Sequence, residues 1–406
     1  MPDSHSRIPK PSPELRDKAA IVGIGETDYA ADYQAARTKR PGHALPTPES
    51  LSVTAFERAL ADSGLQREDI DGMSVSYIYG GPPPEEMAAL LGLKTRYNIV
   101  NGNIMAGPLP RVCADIAAGK ADTVVMIYAA ASRAIGRQYG GNTYSGDEAG
   151  TPSSYYYYHP WGWSSQAAHW AMVCTTYLNQ FGLTEDDLAT VALQLRKNAQ
   201  ANPNAIMQAP MTLEDYRASR YVVRPLHLFD MCLVNDGAVC LIVRRTDLAR
   251  DSGHTPVLVS GWGEAEVKQD KMHMLIRERL RPQLQEALRQ TLEMAGATFS
   301  EIGHFEGYDA ASMHLITQME GYGFAAPGTA PAGFRAGDFA RDGRMPVNIA
   351  GGMMNGAYMH GWNQVAEIVR QLRHEAGSRQ IKGLQMSLSS LAQTDAAHPI
   401  LYRRGA

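Results

Sequence analysis

SLSVTAFERALADSGLQREDI, residues 50–70, has a counterpart later in the chain in LRPQLQEALRQTLEMAGATFSEI, residues 280–302. Both stretches space their apolar residues as a helix does, reach a glycine that ends the helix, and continue into a strand. Four residues recur at intervals of five, four and six, with an offset of 232 positions: Ala55, Leu60, Gly64 and Ile70, then Ala287, Leu292, Gly296 and Ile302. The unit is a common one, but the elements around it repeat as well. The sequence therefore predicts two copies of one half-domain.

Strands flank the repeated unit in both halves. AAIVGIG (residues 19–25) and TPVLVSGWG (residues 255–263) are short, contain β-branched residues and are closed by glycine, which is typical of buried strands. The alternation of strand and helix predicts an α/β fold with a mainly parallel sheet covered by helices. We expect an N-terminal half over residues 18–254, a C-terminal half over residues 255–406, and a flexible, proline-rich arm over residues 1–17.

A segment without this regularity, about residues 136–220, precedes the second half. It opens with GRQYGGNTYSGDEAGTPSSYYYYHPWGW, a stretch rich in glycine and tyrosine. Such a stretch is too aromatic for a flexible linker, so we predict an ordered loop insertion. The tyrosines at residues 155–158, with Trp161 and Trp163, could line a broad apolar substrate pocket or pack at a subunit interface, and the sequence favours neither.

The composition limits the partners and the compartment. The 406 residues carry 38 Lys plus Arg against 42 Asp plus Glu, a formal charge of −4, which gives no attraction to nucleic acid or to an anionic membrane. Four cysteines are too few and too irregular for a disulfide framework or a zinc site: Cys113, Cys174, Cys232 and Cys240. No apolar run is long enough for a membrane span or a signal peptide. We expect a cytoplasmic protein that binds no metal, nucleic acid or membrane.

The glycines of GIGETD, which begins at Gly23, are only a weak sign of a dinucleotide-binding fold. The third glycine and a suitably placed acidic residue are missing from this stretch. GxxxxGK[ST], GxSxG, HExxH and CxxC do not occur in the sequence. The obvious routes to phosphoryl transfer, serine hydrolysis and zinc chemistry are therefore closed.

Two further stretches carry a family resemblance. RPLHLFDMCLVNDGAVCLIV (residues 224–243) resembles the Pro-Leu-His-Leu-Leu-Asp segment and the following Ser-Asp-Gly of the sterol-carrier-protein type of thiolase. LRKNAQANPNAIM (residues 195–207) resembles the Asn-rich segment of the same group. The similarity runs from about residue 19 to residue 403. The chain is thereby identified as a member of the thiolase superfamily, which implies a five-layer αβαβα fold built from two similar halves.

The chain departs from the thiolases at their catalytic positions. Ile104 stands where those enzymes have the nucleophilic cysteine, and Cys113, nine residues on, has the setting of a small buried residue inside a helix. Tyr308, in FEGYDAAS, and Tyr358, in GGMMNGAYMHG, stand where the family has two catalytic histidines. The late cysteine of the family has no counterpart in MSLSSLAQ, residues 386–393. Without a thiolate, no acyl-enzyme can form by the thiolase route.

The chemistry that still fits is cleavage of a β-hydroxyacyl-CoA by a retro-aldol reaction, which needs no covalent intermediate. One group must take the proton of the β-hydroxyl, and another must protonate the enolate carbon. The two tyrosines resemble the pair in the thiolase-like aldolases of bacterial steroid side-chain degradation, which release propionyl-CoA from a 17-hydroxy-steroid acyl-CoA. This resemblance implies a carbon–carbon lyase that meets coenzyme A only as part of its substrate.

The same resemblance implies partners. Those aldolases work with a small OB-fold and zinc-ribbon domain, which is often fused to or associated with a hotdog-fold hydratase, so zinc could be bound in a partner domain. The superfamily also implies a homodimer. Two alternatives stay open: an acyltransferase of the thiolase type with an unexpected nucleophile, and a non-catalytic subunit that scaffolds a hydratase.

Four residues are candidates for the catalytic chemistry: Tyr358, Tyr308, Asp309 and His360. Tyr358 lies in a Gly- and Met-rich turn, an awkward place for a core aromatic residue, whereas Tyr308 at a strand end could simply cap a core. An unperturbed tyrosine has a pKa of about 10 and needs a helpful neighbour to act as a base at neutral pH. Asp309 could orient a tyrosine, polarise a water or cap the following helix. His360 could be the base or a surface residue.

A second set of residues could bind the acyl-CoA. The backbone N–H groups of Gly351 and Gly352 could reach the thioester oxygen, or the two glycines could form a tight turn. Asn355 could donate a hydrogen bond in the same place. Four cations could bind the coenzyme A phosphates: Arg196, Lys197, Arg217 and Arg220. For any one of these cations, a solvated helix face is the alternative.

Overall fold

A computed structural model describes residues 8–38, 45–77, 80–102, 105–136, 165–266, 277–392 and 396–405 of the chain. Its strands are β1 (Ala19–Glu26), β2 (Gly72–Tyr77), β3 (Tyr97–Val100), β4 (Thr123–Ala131), β5 (Tyr221–Val223), β6 (Leu226–His227), β7 (Asp236–Arg245), β8 (Val257–Trp262), β9 (Ala265–Glu266), β10 (Phe305–Gly307), β11 (Met386–Ala392) and β12 (Ala396–Arg404). Its α-helices are α1 (Tyr29–Thr38), α2 (Pro48–Ser63), α3 (Pro84–Leu90), α4 (Pro108–Ala117), α5 (Gln166–Phe181), α6 (Glu185–Gln200), α7 (Leu213–Ala218), α8 (Arg277–Ala295), α9 (Ser312–Gly321), α10 (Ala330–Ala336) and α11 (Trp362–Arg373).

Both halves of the chain arrange their strands in the same way. The order is β3-β2-β4-β7-β1 in the N-terminal half and β10-β11-β12-β8 in the C-terminal half. β2 is parallel to β4 and β10 is parallel to β11, whereas β7 and β12 each run antiparallel to both neighbours. The two half-sheets join where Ala20 pairs with Leu258 and Ile21 pairs with Val257. The predicted duplication is confirmed, since corresponding elements have corresponding neighbours and directions.

The prediction of a mainly parallel sheet is wrong, because both half-sheets are mixed. β7 enters between β1 and β4 and runs against both, with Cys240 opposite Gly25 on one side and Ile127 on the other. In the second half, β12 follows β11 after a short connection, and strands joined in this way are antiparallel. The alternation of strands and helices predicts the parallel pairs only. It contains no signal for a strand that returns to the sheet after a long insertion.

Helices cover the two half-sheets in three layers. α2 packs on one face of the N-terminal half-sheet with Phe56 fully buried, and α8 packs on one face of the C-terminal half-sheet with Leu284 fully buried. α4 and α11 lie between the half-sheets, where Val112 and Val369 share a core with residues of both β1 and β8. The α/β fold with five layers, αβαβα, from two similar halves is therefore confirmed.

A pair of glycines in each half, in the first strand or directly after it, allows a helix to lie against the backbone. A Cβ atom on Gly25 would lie 2.0 Å from the carbonyl oxygen of Ala55 in α2. A Cβ atom on Gly263, just after β8, would lie 2.0 Å from the carbonyl oxygen of Ala287 in α8. The GxG pattern that begins at Gly23 is thus a packing feature that the second half repeats. It does not mark a dinucleotide site.

Residues 8–17 are packed, which differs from the loose arm that the sequence predicts. Ile8 is buried in the central core, and the indole N–H of Trp262 donates a hydrogen bond to the carbonyl of Pro9 at 2.7 Å. The hydroxyl of Ser260 donates to the carboxylate of Asp17 at 2.5 Å. Both donors belong to β8, so this segment is attached to the C-terminal half. Residues 1–7 lie outside the described part of the chain.

The described part of the predicted insertion is helical. Residues 165–220 form α5, α6 and α7, and these helices pack on the core of the C-terminal half. The hydroxyl of Tyr177 in α5 donates to Glu320 in α9 at 2.7 Å, which fixes the insertion to that half. The aromatic run at residues 155–163, predicted to line a pocket or an interface, lies outside the described residues.

Three further findings concern the described residues as a whole. None of their helices combines the length and the apolar character needed to cross a bilayer. They contain no group of three or more His, Cys, Asp and Glu side chains arranged to hold a metal ion. All four cysteines are free thiols in the structure.

Candidate active site

Segments from four parts of the chain converge at one buried cluster. Ala106 just before α4, Tyr308 just after β10 and Leu391 in β11 belong to this cluster, and Tyr358 packs against it from the segment before α11. These are the places to which the family resemblance assigns the two cysteines and the two histidines of thiolases. Ile104 itself lies outside the described residues, but Ala106 puts its segment at the cluster.

The two tyrosine hydroxyl groups form a hydrogen-bonded pair. The Tyr308 and Tyr358 oxygens are 3.2 Å apart, and either hydroxyl can be the donor. Tyr308 is only 3% exposed, whereas Tyr358 is half-buried. Burial, the neighbouring Tyr308 and the thiol of Cys232 raise the pKa of Tyr358 well above its ordinary value. Tyr358 therefore carries its proton at neutral pH, and the pair can both donate and accept hydrogen bonds.

Tyr308 is held by the end of β10. Its N–H donates to the carbonyl of Ser390 at 2.9 Å, and its carbonyl accepts from the amide of Gln318 at 2.7 Å. Its ring meets the edge of the His314 ring, with centroids 5.4 Å apart. Nδ1 of His314 accepts the N–H of Ala311 at 3.1 Å, and burial lowers the pKa of His314 to about 4. His314 is therefore a neutral neighbour of the pair, with its proton on Nε2.

Tyr358 is held by the loop before β7 and by His360. Its N–H donates to the side-chain oxygen of Asn235 at 2.8 Å, and its ring meets the ring of His360 with centroids 4.7 Å apart. Nδ1 of His360 lies 2.9 Å from the hydroxyl of Tyr128. The alternative of a surface histidine is wrong, because His360 is only 7% exposed. Burial lowers its pKa to about 4, so the ring is neutral at pH 7.

Asp309 is fully buried and faces the turn before α11. Its carboxylate accepts the N–H of Met353 at 2.9 Å and the N–H of Met354 at 3.2 Å. Burial raises the pKa of Asp309 to about 7, against the lowering effect of these two donors. The alternative that Asp309 caps the following helix is wrong, since its oxygens point to the turn and Ala311 occupies the N-cap of α9.

The turn itself is a single π-helical turn, Gly352–Gly356, in which the N–H of Ala357 donates to the carbonyl of Gly352 at 3.3 Å. Such turns occur preferentially at functional sites. Gly351 has φ of 97° and Gly352 has φ of 60°, values that favour glycine. The N–H of Gly351 already donates to the carbonyl of Asn348 at 3.0 Å. The tight turn, which was the alternative for these two glycines, is therefore present. Binding of the thioester oxygen by the N–H groups of Gly351 and Gly352 stays a prediction.

Asn355 and Arg196 lie together behind the turn. Nε of Arg196 donates to the side-chain oxygen of Asn355 at 2.5 Å, and its guanidinium also donates to the carbonyl of Ala209 at 3.2 Å. Arg196 is buried, whereas Lys197 is exposed, and both border a groove of about 750 Å³ along α6. Arg217 pairs with Asp186 at 2.5 Å. The assignment of these cations to the coenzyme A phosphates stays a prediction.

Several side chains at the site are not predicted from the sequence. Cys232 and Trp170 pack against the tyrosine cluster, and Asn235 holds the backbone of Tyr358. Cys232 and Asn235 lie within residues 224–243, which the resemblance marks only as a family segment. Burial raises the pKa of the Cys232 thiol to about 12. A segment shared with a family is thus a signal for residues that border the catalytic centre.

Comparison with known proteins gives four further findings. Residues 265–394 match the family model described as thiolase C-terminal domain-like. A steroid side-chain-cleaving aldolase of Thermomonospora curvata is 32% identical over 371 residues, which cover 88% of this chain and 91% of that protein. A 17-hydroxy-3-oxo-4-pregnene-20-carboxyl-CoA lyase of Mycobacterium tuberculosis is 31% identical over 370 residues, covering 88% and 92%. The solved structure of an Ltp2-ChsH2(DUF35) aldolase superposes with a TM-score of 0.80 at 28% identity, covering 96% of this chain and 98% of that one.

Proposed function

Because this chain belongs to the thiolase superfamily, in its family of steroid side-chain-cleaving aldolases, it is an acyl-CoA retro-aldolase, and we propose that it acts on a 17-hydroxy-steroid side-chain CoA thioester. Both curated relatives are named for lyase or aldolase chemistry on steroid side chains. The products of this reaction are a ketone and a short acyl-CoA such as propionyl-CoA. The observation in this chain that carries the proposal is the tyrosine pair, with hydroxyl oxygens 3.2 Å apart.

A hydrogen-bonded pair of neutral hydroxyl groups suits the proton movements of a retro-aldol reaction. One tyrosine oxygen accepts the proton of the substrate β-hydroxyl and at the same time passes its own proton across the hydrogen bond to the other tyrosine, while the bond between the α- and β-carbons breaks. The electron pair of that bond enters the enolate of the acyl-CoA, and a tyrosine proton is delivered to the α-carbon. The pair ends with the same number of protons that it had at the start. The net change moves one proton from oxygen to carbon, so neither a cofactor nor free coenzyme A is consumed.

The alternative of a thiolase-type acyltransferase has less support. That reaction needs a thiolate or an equivalent nucleophile at the site. Cys113 is buried inside α4. Cys232 lies at the tyrosine cluster, but its thiol keeps its proton at neutral pH because burial raises its pKa to about 12. The alternative of a non-catalytic scaffold gives no reason for two hydroxyl groups to pair at the centre of the site.

The first test is whether cleavage requires free coenzyme A. With its partner domain and a 17-hydroxy-steroid β-hydroxyacyl-CoA, the chain is expected to release a ketone and a short acyl-CoA in equal amounts without added coenzyme A. In D₂O the acyl-CoA product should carry one deuterium on its α-carbon, because tyrosine hydroxyl protons exchange with solvent. Mass spectrometry of the product measures both. Product formation only with free coenzyme A would show an acyltransferase, and no product in either case would favour the scaffold.

We further propose the partners that the family resemblance implies. The matched Ltp2-ChsH2(DUF35) structure is named as a combination of two components. A small OB-fold and zinc-ribbon domain is the partner we expect for this chain, either alone or with a hotdog-fold hydratase attached to it, and any zinc would be bound in that partner. The four free thiols agree with a reducing compartment, so we place the protein in the cytoplasm.

The chain is expected to form a homodimer through its N-terminal half-sheet. β3 is at the edge of that sheet, and Val100 at its end is 66% exposed. An edge strand with an exposed apolar residue can pair with a second copy. Light scattering of the purified complex should give twice the chain mass of 44.3 kDa, after allowance for the partner. Val100→Lys should shift the complex toward single chains, whereas Leu90→Lys, on α3 and 54% exposed, should not. A wild-type complex with one copy of the chain would contradict this prediction.

A further inference from the structure

The backbone just before Tyr308 is held by two buried amide side chains. Asn348 makes two hydrogen bonds with Gly307, accepting its N–H at 2.8 Å and donating to its carbonyl at 2.9 Å. The amide of Gln364 in α11 donates to the same carbonyl at 2.7 Å and to Asp309 at 3.3 Å. Both amides are almost fully buried. The end of β10 therefore has a fixed position relative to the segment that leads to Tyr358.

Asp309 makes the direct link between the two tyrosine segments. It follows Tyr308 in the chain, and its carboxylate accepts the N–H groups of Met353 and Met354 in the turn that leads to Tyr358. Gly352 packs closely against it, since a Cβ atom on Gly352 would lie 2.1 Å from its Oδ2. A shift of Asp309 would therefore move one tyrosine relative to the other.

We propose that Asp309 is a positioning residue, which ties the backbone of Tyr308 to the turn that carries Tyr358 and so sets the distance between the two hydroxyl groups. The proposal deepens the proposed function and rests on it only for its kinetic readout. Asp309 does not need to touch substrate for this role. Oδ2 accepts both N–H groups, from Met353 at 2.9 Å and from Met354 at 3.2 Å, and Oδ1 is also 2.9 Å from the nitrogen of Met353, so both carboxylate oxygens face a donor. An asparagine would turn an NH₂ group toward one of the two donors.

Asp309 needs its ionised carboxylate to accept these N–H groups with both oxygens. Turnover should therefore depend on pH. The titratable groups that face Asp309 are the fully buried Glu306 in β10 and Cys232 on the loop before β7. Burial raises the pKa of Asp309 from its ordinary 3.8 to about 7. Turnover should rise with pH through about 7 as the carboxylate forms. The stability contribution has the opposite sign, because a raised pKa favours folding at low pH and this contribution is lost as the pH rises toward 7.

Asp309→Asn is the first test. We expect kcat to fall by about 10- to 100-fold, because a small displacement of reacting groups has effects of this size, while KM changes little. The rise of kcat through pH 7 should disappear. Asp71→Asn is the matched control, since the Asp71 carboxylate also accepts two consecutive N–H groups, those of Asp122 and Thr123, away from the site. It should keep both kcat and the pH profile. An Asp309→Asn enzyme with wild-type kcat, or with reduced kcat and an unchanged pH profile, would overturn the proposal.

A second variant disturbs the same contact from the other side. Gly352→Ala puts a methyl group against the Asp309 carboxylate and should reduce kcat by a similar factor. The losses from Gly352→Ala and Asp309→Ala should not multiply in the double variant, because removal of the carboxylate relieves the clash at 2.1 Å and leaves the new methyl group only the contact with Nδ2 of Asn348 at 2.9 Å and the backbone φ of 60°. Additive losses would contradict a shared contact.

Amide hydrogen exchange tests the link without any assay of activity. In the wild type the N–H groups of Met353 and Met354 should exchange slowly, and in Asp309→Asn they should exchange much faster while the rest of the sheet stays protected. If the wild type does not cleave a β-hydroxyacyl-CoA, the proposed function fails, but this measurement still decides the link. Unchanged exchange at both amides would overturn it.

Discussion

Tyr358→Phe is expected to reduce carbon–carbon cleavage by a factor on the order of 10²–10⁴ while leaving the fold and acyl-CoA binding nearly intact. The substitution removes one oxygen and keeps the ring against its cluster, so the packing changes little. It removes one partner of the hydroxyl pair with Tyr308 and thus one half of the proton path. Steady-state turnover of the steroid acyl-CoA, together with the melting temperature, measures the effect.

Two comparisons make this result specific. Tyr402→Phe removes another buried hydroxyl, which is 3.1 Å from that of Ser389 in β11, and should leave turnover unchanged. Tyr308→Phe should also slow turnover, and the double variant should fall short of the product of the two single effects if the pair acts as one unit. A Tyr358→Phe enzyme with near wild-type turnover and unchanged melting would contradict the pair mechanism, and His360 would become the next candidate.

Gly25→Ala is expected to destabilise the fold by about 3 kcal/mol or more, because the added methyl group meets backbone rather than a flexible side chain. The new Cβ atom would lie 2.0 Å from the carbonyl oxygen of Ala55 and 2.5 Å from the amide nitrogen of Ala59. The whole of α2 would have to move away from β1. Gly263→Ala, just after the corresponding strand of the second half, should have an effect of similar size because it meets the carbonyl of Ala287 at 2.0 Å.

Gly253→Ala is the control for this prediction. Gly253 has open space where the methyl group would go, so its replacement should change stability by only about 0.5 kcal/mol or less. Urea unfolding of the three variants measures the difference. Similar midpoints for Gly25→Ala and Gly253→Ala would show that α2 can shift away from β1 without loss of stability.

The parts of the fold that could be predicted are those with a local signal. The spacing of Ala55, Leu60 and Gly64 repeats in the second half because α8 packs on β8 there as α2 packs on β1 in the first half. The direction of β7 has no such local signal. β7 follows the long insertion in the chain, and its pairing with β1 and β4 is a contact between distant segments. The arm at residues 8–17 is polar and rich in proline, yet Ile8 is buried in the central core and Leu15 packs against it.

At the site, the tyrosines could be predicted because two unusual residues stand at positions that a family uses for chemistry. The environment of those residues could not. His360 resembles a surface histidine in sequence but lies buried against Tyr128. This contact could not be predicted, because the strand that carries Tyr128 is far away in the chain. Asp309 precedes a helix and therefore resembles a cap. Its actual partners, the amides of Met353 and Met354, come from a turn more than 40 residues later.

The two central helices have a consequence for charge at the site. α4 begins two residues after Ala106 and α11 begins four residues after Tyr358, and the N–H of Met105 donates to the carbonyl of His360 at 3.2 Å, so both helices begin beside the tyrosine pair. The N-terminal end of a helix carries roughly half a positive charge from its aligned peptide dipoles. An enolate places negative charge on the thioester oxygen. The neutral tyrosines therefore work within a positive electrostatic potential that the backbone supplies before any substrate is bound.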